Sequence, residues 1–286
     1  MNLNDITVPK RSVELLRQSI YENYENVSKN IDFGVKNQFN ITRAITRFKD
    51  LKHDIKIDNM TKKKILELGS GSGLFTLYLR KKSVEIYGIE PDLNSYIASR
   101  LLLKENNISN CIFRAKGESL PFKENTFDII VSYQVLEHTK DPFSVLKESK
   151  RVLKKEGIIY FVVPNYFSFW EGHYGLLWFP FLNKFLAKCY VRVLGRNDKF
   201  IDDLHFINPF KIKKWCKELN LEIKSMGVEK WRFNLLESPI RDHWASSKLM
   251  FKLIKIVRVS KLGILFAYIG SFFNLYYPIY LIAKKR

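Results

Sequence analysis

The stretch Ile65-Leu66-Glu67-Leu68-Gly69-Ser70-Gly71-Ser72-Gly73 decides the fold of this chain. An apolar run of strand type enters it. Three alternate glycines pass through it, and an amphipathic run from Leu74 to Lys82 leaves it. The implied order is strand, tight turn, helix. Glycine lets a backbone approach a ligand where a Cβ would collide, and the first N–H groups of the next helix face the same spot. An ordinary Gly/Ser loop also carries glycines, so the flanking sequence has to separate the two readings.

Downstream, strands and helices alternate. Lys64–Leu68 is expected as strand one and Leu74–Lys82 as its helix. Strand two spans Val84–Ile89, followed by a helix over Leu93–Asn106 with Ile97, Leu101 and Leu102 inward. Cys111–Arg114 gives a short third strand and Phe127–Ser132 a fourth, nearly all apolar, as a strand covered on both faces should be. Asp141 and Pro142 open a helix whose end is expected before Gly157. Ile158–Val163 is the fifth strand, stopped by Pro164. This rhythm predicts an α/β fold with a doubly wound, mostly parallel, seven-stranded sheet and helical insertions after strands five and six.

The expected organisation follows. Residues 1–60 form an N-terminal helical segment, with Ser12 capping a first helix and a second over Gln38–Leu51. Residues 61–235 form the core, interrupted at 164–204 by an insertion rich in aromatics. Asn208-Pro209 opens a helix through Leu219, and Leu221–Val228 is strand six. Residues 236–276 form a basic, apolar helical insertion, and 277–286 a final strand with a basic end.

Composition narrows the partners. The 286 residues carry a formal net charge of +19, which suits nucleic acid, an anionic membrane or anionic substrates. From Ala245 onward there is no Asp or Glu. Lys248, Lys252 and Lys255 share one helical face, opposite Leu249, Leu253, Ile256 and Val257, the pattern of a helix lying on an anionic membrane. Leu262 to Ala283 has no charge and is long enough to span a bilayer if wholly helical. Against that, Pro278 and the β-type run after it favour a strand, leaving residues 246–274 to touch a membrane surface or serve as a lid or dimer face. The three cysteines lack metal or disulfide spacing, residues 1–25 lack a signal-peptide segment, and a cytoplasmic setting is expected, with no metal.

Glu90 ends strand two about 20 residues beyond the glycine turn, where an acid accepts hydrogen bonds from both ribose hydroxyls of an adenosine cofactor. The NAD fingerprint needs a glycine at the sixth position, and Leu74 stands there. The ordered set Glu67–Gly73, Gly88-Ile89-Glu90-Pro91, Gly117-Glu118-Ser119-Leu120-Pro121-Phe122, Phe127–Ser132 and Val135-Leu136-Glu137-His138 resembles the class I S-adenosylmethionine-dependent methyltransferases, with a Rossmann-like fold. The likeness is to their small-molecule "type 11" branch, including ubiquinone-type and glycan-associated O-methyltransferases.

The resemblance implies S-adenosylmethionine as cofactor. It implies that Gly69, Ser70, Gly71 and Gly73 lie against its methionine and ribose, that Glu67 helps hold its amino group, and that Glu90 with Pro91 takes the ribose. Tyr133 and Gln134 would line the methionine side. Gly117 and Glu118 would flank the adenine; Lys116 stands where the family often has an acid, so Glu118 or backbone carbonyls would substitute. The expected product is a methylated oxygen on a lipid-linked, glycan or small-molecule acceptor, at the inner membrane face. The alternatives are a soluble acceptor, or a protein that binds the cofactor without turnover. Of the five histidines, His173 and His205 fall at the sheet's ligand edge and are the candidate bases, with Glu171 orienting His173. His138 is expected to serve packing or the start of a helix. No Asn-Pro-Pro-Tyr follows strand four, which disfavours nucleic-acid bases as acceptors.

Overall fold

The computed structural model describes residues 6–24, 31–237, 256 and 262–286. Its centre is a seven-stranded sheet in the order β3-β2-β1-β4-β5-β9-β8. The strands are β1 (Lys64–Leu68), β2 (Glu85–Ile89), β3 (Ile112–Phe113), β4 (Phe127–Tyr133), β5 (Leu153–Val163), β8 (Leu221–Ser225) and β9 (Ile279–Lys285). The first five pair in parallel, and β9 runs antiparallel between β5 and β8. Ile65, Leu66, Ile129, Ile130 and Val131 are completely buried, because helices cover both faces of the central strands. A parallel strand has no solvent face, so its apolar run is continuous rather than alternating.

The glycine turn leads into α4 (Leu74–Arg80), and β2 leads into α5 (Leu93–Glu105), capped by Asp92. In α5 the inward residues are Ala98, Leu102 and Leu103, while Ile97 faces solvent. α6 (Pro142–Val152) is capped by Asp141 as the sequence predicts, but it stops at Val152 and β5 begins at once. Gly157 therefore lies inside β5, next to the positive-φ residue Glu156, where the register with β4 shifts. Strand β8 ends at Ser225 because Gly227, at φ 82°, turns the chain into α10 (Val228–Leu236).

The N-terminal helices pack onto this core. α1 (Lys10–Tyr24) lies on α5, with the Ser12 hydroxyl donating to the Ala98 carbonyl at 2.9 Å. Ser12 is thus a buried anchor within α1 and not its cap. α2 (Ile31–Gln38) leads to α3 (Ile41–Ile55), capped by Asn40. α3 is tied to the sheet at Asp54, which accepts from the Tyr160 hydroxyl at 2.8 Å and from the Lys230 ammonium at 2.5 Å.

The insertion after β5 is a mixed unit with its own apolar cluster. It holds a hairpin, β6 (Trp170–Glu171) with β7 (Leu176–Leu177), then α7 (Lys184–Val193) and α8 (Phe200–Asp203). Tyr166, Tyr174, Trp178 and Phe200 form its interior. α9 (Pro209–Glu218) returns the chain to β8.

The apolar run 262–283 is not one helix. α11 (Leu262–Phe272) covers its first half and β9 takes its end. No helix among the described residues is long and apolar enough to cross a membrane. The basic face expected from Lys248 to Lys255, and His243, lie outside the described residues.

Candidate active site

The carboxyl ends of β1, β2, β4 and β5 form one rim, and most of the predicted residues converge there. Gly69, Gly71 and Gly73 all have positive φ, at 67°, 52° and 76°. Their roles differ from the simple expectation of ligand approach. A Cβ on Gly69 would lie 2.4 Å from a Val135 methyl, and one on Gly73 would lie 2.8 Å from the Ser99 Cβ. Those two glycines make room for protein. Only Gly71 faces the ligand side, and there the Gln38 side chain of α2 stands 3.1 Å from where a Cβ would be. The Ser72 hydroxyl also donates to the Gln38 carbonyl at 2.7 Å. Ser70 is occupied structurally, its N–H donating to the Ile89 carbonyl at 2.9 Å.

Two buried carboxylates frame the turn. Glu90 accepts from the Gly71 N–H at 2.7 Å and from the Asp92 N–H at 3.1 Å. Burial pushes it up to about 7 despite those bonds. Glu67 accepts from the Thr76 hydroxyl at 2.7 Å, and burial pushes it up to about 7 as well, against the pull of Thr76 and Arg47. Pro91 is exposed, and its carbonyl accepts from Arg114 at 3.4 Å. Gly117 packs on Val145. One Glu118 oxygen is taken by the N–H groups of Lys140 and Asp141, at 2.8 and 3.3 Å, so it steadies the start of α6 instead of standing free beside an adenine.

Sequence reasoning missed the contribution of α3. Arg43 and Arg47 line the hollow beside Ser70, Ser72 and Phe75. The Arg47 guanidinium lies over the Tyr133 ring at 4.5 Å from its centre, and the Tyr133 hydroxyl donates to the Arg47 carbonyl at 3.4 Å. Burial, reinforced for Arg43 by Arg47, disfavours charge on both, yet guanidinium groups stay protonated near neutral pH. Neither makes an ion pair or side-chain hydrogen bond among the described residues. Two such cations are chemically suited to an anion. The arginines sit in a segment with no recognisable motif; their i, i+4 spacing on an amphipathic helix was the one available signal.

The second half of the site is a buried polar cluster. His173 Nδ1 lies 2.7 Å from Glu171, and its Nε2 lies 3.1 Å from His138 Nε2. Burial works against charge on His173, but Glu171 outweighs it and the net shift is upward. His138 is pulled down to about 3 by burial and then by His173. Glu137 is completely buried, and among the described residues no other residue donates to either carboxylate oxygen. The Tyr24 ring packs edge-on against His138, and its hydroxyl is raised to about 12 by burial and by Glu137 and Glu90. Tyr24 thus packs on the histidine end and lies within electrostatic reach of Glu90. Tyr277, hydrogen-bonded to Gln134, is raised by burial and by Glu171 and Glu137.

Glu171 and His173 thus come together as the sequence suggests. His138 joins them at the centre of the cluster, beyond the packing role expected of it. The His205 ring does not. Its backbone N–H donates to the Glu137 carbonyl at 2.8 Å, while the ring faces Lys140 and Asp141.

A seven-stranded sheet of this order, with a glycine turn after β1 and an acid after β2, defines a class I S-adenosylmethionine-dependent methyltransferase domain. Residues 66–161 match the methyltransferase domain family, and the domain they form belongs to it. An uncharacterised methyltransferase of Schizosaccharomyces pombe is 37% identical over 105 residues, 34% of this chain and 38% of the relative. The chain therefore spans well under two thirds of that relative's length. A ubiquinone biosynthesis O-methyltransferase of Histophilus somni is 26% identical over 185 residues, covering 63% of this chain and 72% of that one. The fold is shared with a solved S-adenosylmethionine-dependent methyltransferase from Mesorhizobium loti, with a TM-score of 0.53 and 12% identity over 81% of this chain and 95% of that one.

Proposed function

We propose that this protein transfers a methyl group from S-adenosylmethionine to an oxygen of a lipid-linked or glycan-type acceptor at a membrane surface. The observation that carries the reaction is the pairing of two half-sites on one rim, with a cofactor cradle at one end and a buried acid–histidine cluster at the other. The cofactor supplies a methyl group on a positively charged sulfur. Glu90 takes the ribose hydroxyls, Arg43 and Arg47 balance the cofactor's carboxylate, and Glu67 at the end of β1 steadies its ammonium group. Alignment of acceptor and methyl is the protein's main contribution to a displacement of this kind. An acceptor hydroxyl must also lose a proton, and Glu137, His138, Glu171 and His173 are the titratable groups gathered on that side. The Histophilus somni relative, named as an O-methyltransferase, supports oxygen as the acceptor atom.

The membrane reading rests on α11. Its small residues, Gly263, Ala267 and Gly270, face inward; a Cβ on Gly270 would lie 2.6 Å from the Trp231 ring. Its large residues face out. Ile264, Leu265, Tyr268, Ile269 and Phe272 are 43–75% exposed. Phe266 touches Phe169 of the aromatic insertion, extending the patch toward the acceptor side. Outward apolar surface of this extent marks an interaction site. Eight basic residues and no acid from 245 to 286 make an anionic membrane its complement.

The test combines sedimentation with anionic vesicles and analysis of S-adenosylhomocysteine formed in the presence of membrane extract. Binding that is lost in I264S/F272S, with turnover on extract by the parent protein, is the expected outcome. A protein that stays unbound, or that dimerises through α11, overturns the membrane reading. Cofactor binding without any turnover supports a binding protein instead.

A further inference from the structure

We propose that the Glu137 carboxylate, His138 Nε2 and His173 Nε2 bind one divalent transition-metal cation, with Glu171 as the positioning residue that orients His173. The inference relies on the reading above only for where the acceptor lies. The three ligand atoms all fall within 4.8 Å of one another. Zinc–nitrogen bonds of about 2.0–2.1 Å in a tetrahedral site hold two nitrogens about 3.3 Å apart. The two Nε2 atoms stand at 3.1 Å, and Glu137 Oε1 lies 3.8 Å from His138 Nε2. Small side-chain rotations close that set on a single ion.

Two independent features point the same way. First, a fully buried carboxylate to which no other residue donates lacks the partner that such a group requires. It adjoins the paired imidazole nitrogens, where a cation would complete it. Second, His173 already has the outer partner characteristic of a metal ligand. Metal-bound histidines donate their remaining N–H to a carboxylate or carbonyl, which fixes the tautomer and aims the other nitrogen. Here Nδ1 lies 2.7 Å from Glu171, whose other oxygen accepts from the Tyr174 N–H at 2.7 Å. Glu171 is itself held, and it directs the Nε2 lone pair of His173 toward His138. The surroundings are apolar, with Phe200 at 5.4 Å from the His173 ring and 5.9 Å from the His138 ring.

Two imidazoles and one carboxylate suit zinc and its divalent neighbours, not calcium or magnesium. Three protein ligands leave a fourth position open. That position would take an acceptor oxygen. The sequence shows no metal-binding spacing, because the ligands come from two segments 35 residues apart.

The probe is Co²⁺, added to the chelator-treated full chain, with bound metal counted after dialysis and the visible cobalt band recorded. One equivalent and a band of four- or five-coordinate intensity are expected. Glu137→Gln and His173→Gln should abolish both, and Glu171→Gln should weaken affinity about 10- to 100-fold. S-adenosylmethionine binding, followed by calorimetry on the same samples, should persist in each variant and reports that it is folded. Substoichiometric uptake by the parent protein overturns the metal site, as does uptake unchanged in His173→Gln. If a Glu137 variant fails to fold, Glu171→Gln decides: cobalt affinity equal to the parent's overturns the proposal. Loss of cofactor binding in the parent protein would instead refute the methyltransferase reading while leaving the cobalt result to stand alone.

Discussion

Cofactor binding should be coupled to release of a proton by Glu90. In the free protein this carboxyl is buried and titrates near 7. Ribose hydroxyls donate to its charged form, so the bound complex should hold it ionised. The folded free state then binds a proton that the complex does not, and affinity must rise with pH through that window. With the bound form ionised throughout this range, the apparent dissociation constant at pH 6 should be about tenfold weaker than at pH 8, about 1.4 kcal/mol. About half a proton should be released at pH 7. Titration calorimetry in two buffers of different ionisation enthalpy measures both quantities. Glu67 titrates in the same range, so Glu67→Gln is needed to isolate the Glu90 share, and Glu90→Gln should flatten what remains. A dissociation constant that stays within a factor of two from pH 6 to 8, with no buffer dependence, would mean that Glu90 is already ionised before the cofactor arrives and that no such coupling exists.

The remaining predictions concern stability and the arginine pair. Because Glu67 and Glu90 hold their protons more tightly when folded, the unfolding free energy of the cofactor-free protein should fall as pH rises from about 4.5 to 7, read as a lower urea midpoint at pH 7.5 than at pH 5.5. Gly69→Ala places a Cβ 2.4 Å from Val135 at a positive φ and should cost about 2–4 kcal/mol in urea unfolding; a cost under 0.5 kcal/mol would mean that the turn relaxes freely. Asp54→Ala leaves the Tyr160 hydroxyl and the Lys230 ammonium without their shared acceptor and should cost about 2–4 kcal/mol. It should also weaken cofactor binding, since α3 carries Arg43 and Arg47. The double change Arg43→Met and Arg47→Met should weaken the cofactor about 100-fold, with little loss for a decarboxylated analogue. Equal losses for both ligands would dismiss the carboxylate assignment.

The α/β alternation was legible because each central strand is buried on both faces and each helix on one, so the periodicities differ. The caps at Asp141 and Asn208 were legible for a local reason, since each side chain bonds an N–H two or three residues ahead. Less legible were the ends set by neighbours. Nothing local says that α6 passes directly into β5, because Gly157 is a stop signal wherever it lies outside a strand. The separate roles of Gly69, Gly71 and Gly73 were also hidden, since what a missing Cβ avoids belongs to Val135, Gln38 or Ser99, all distant in sequence.

The sheet, the glycine turn and the acid at Glu90 follow from the order of residues alone. Those depend on hydrophobic period and turn chemistry within a few residues. Tertiary structure decided the rest of the site. It placed Arg43 and Arg47 over the turn, joined Tyr24 to His138, and brought Glu137 and His138 against Glu171 and His173. Such contacts arise where separate segments bury polar groups together, and burial in a shared low-dielectric space, unlike periodicity, leaves no trace in the spacing of residues.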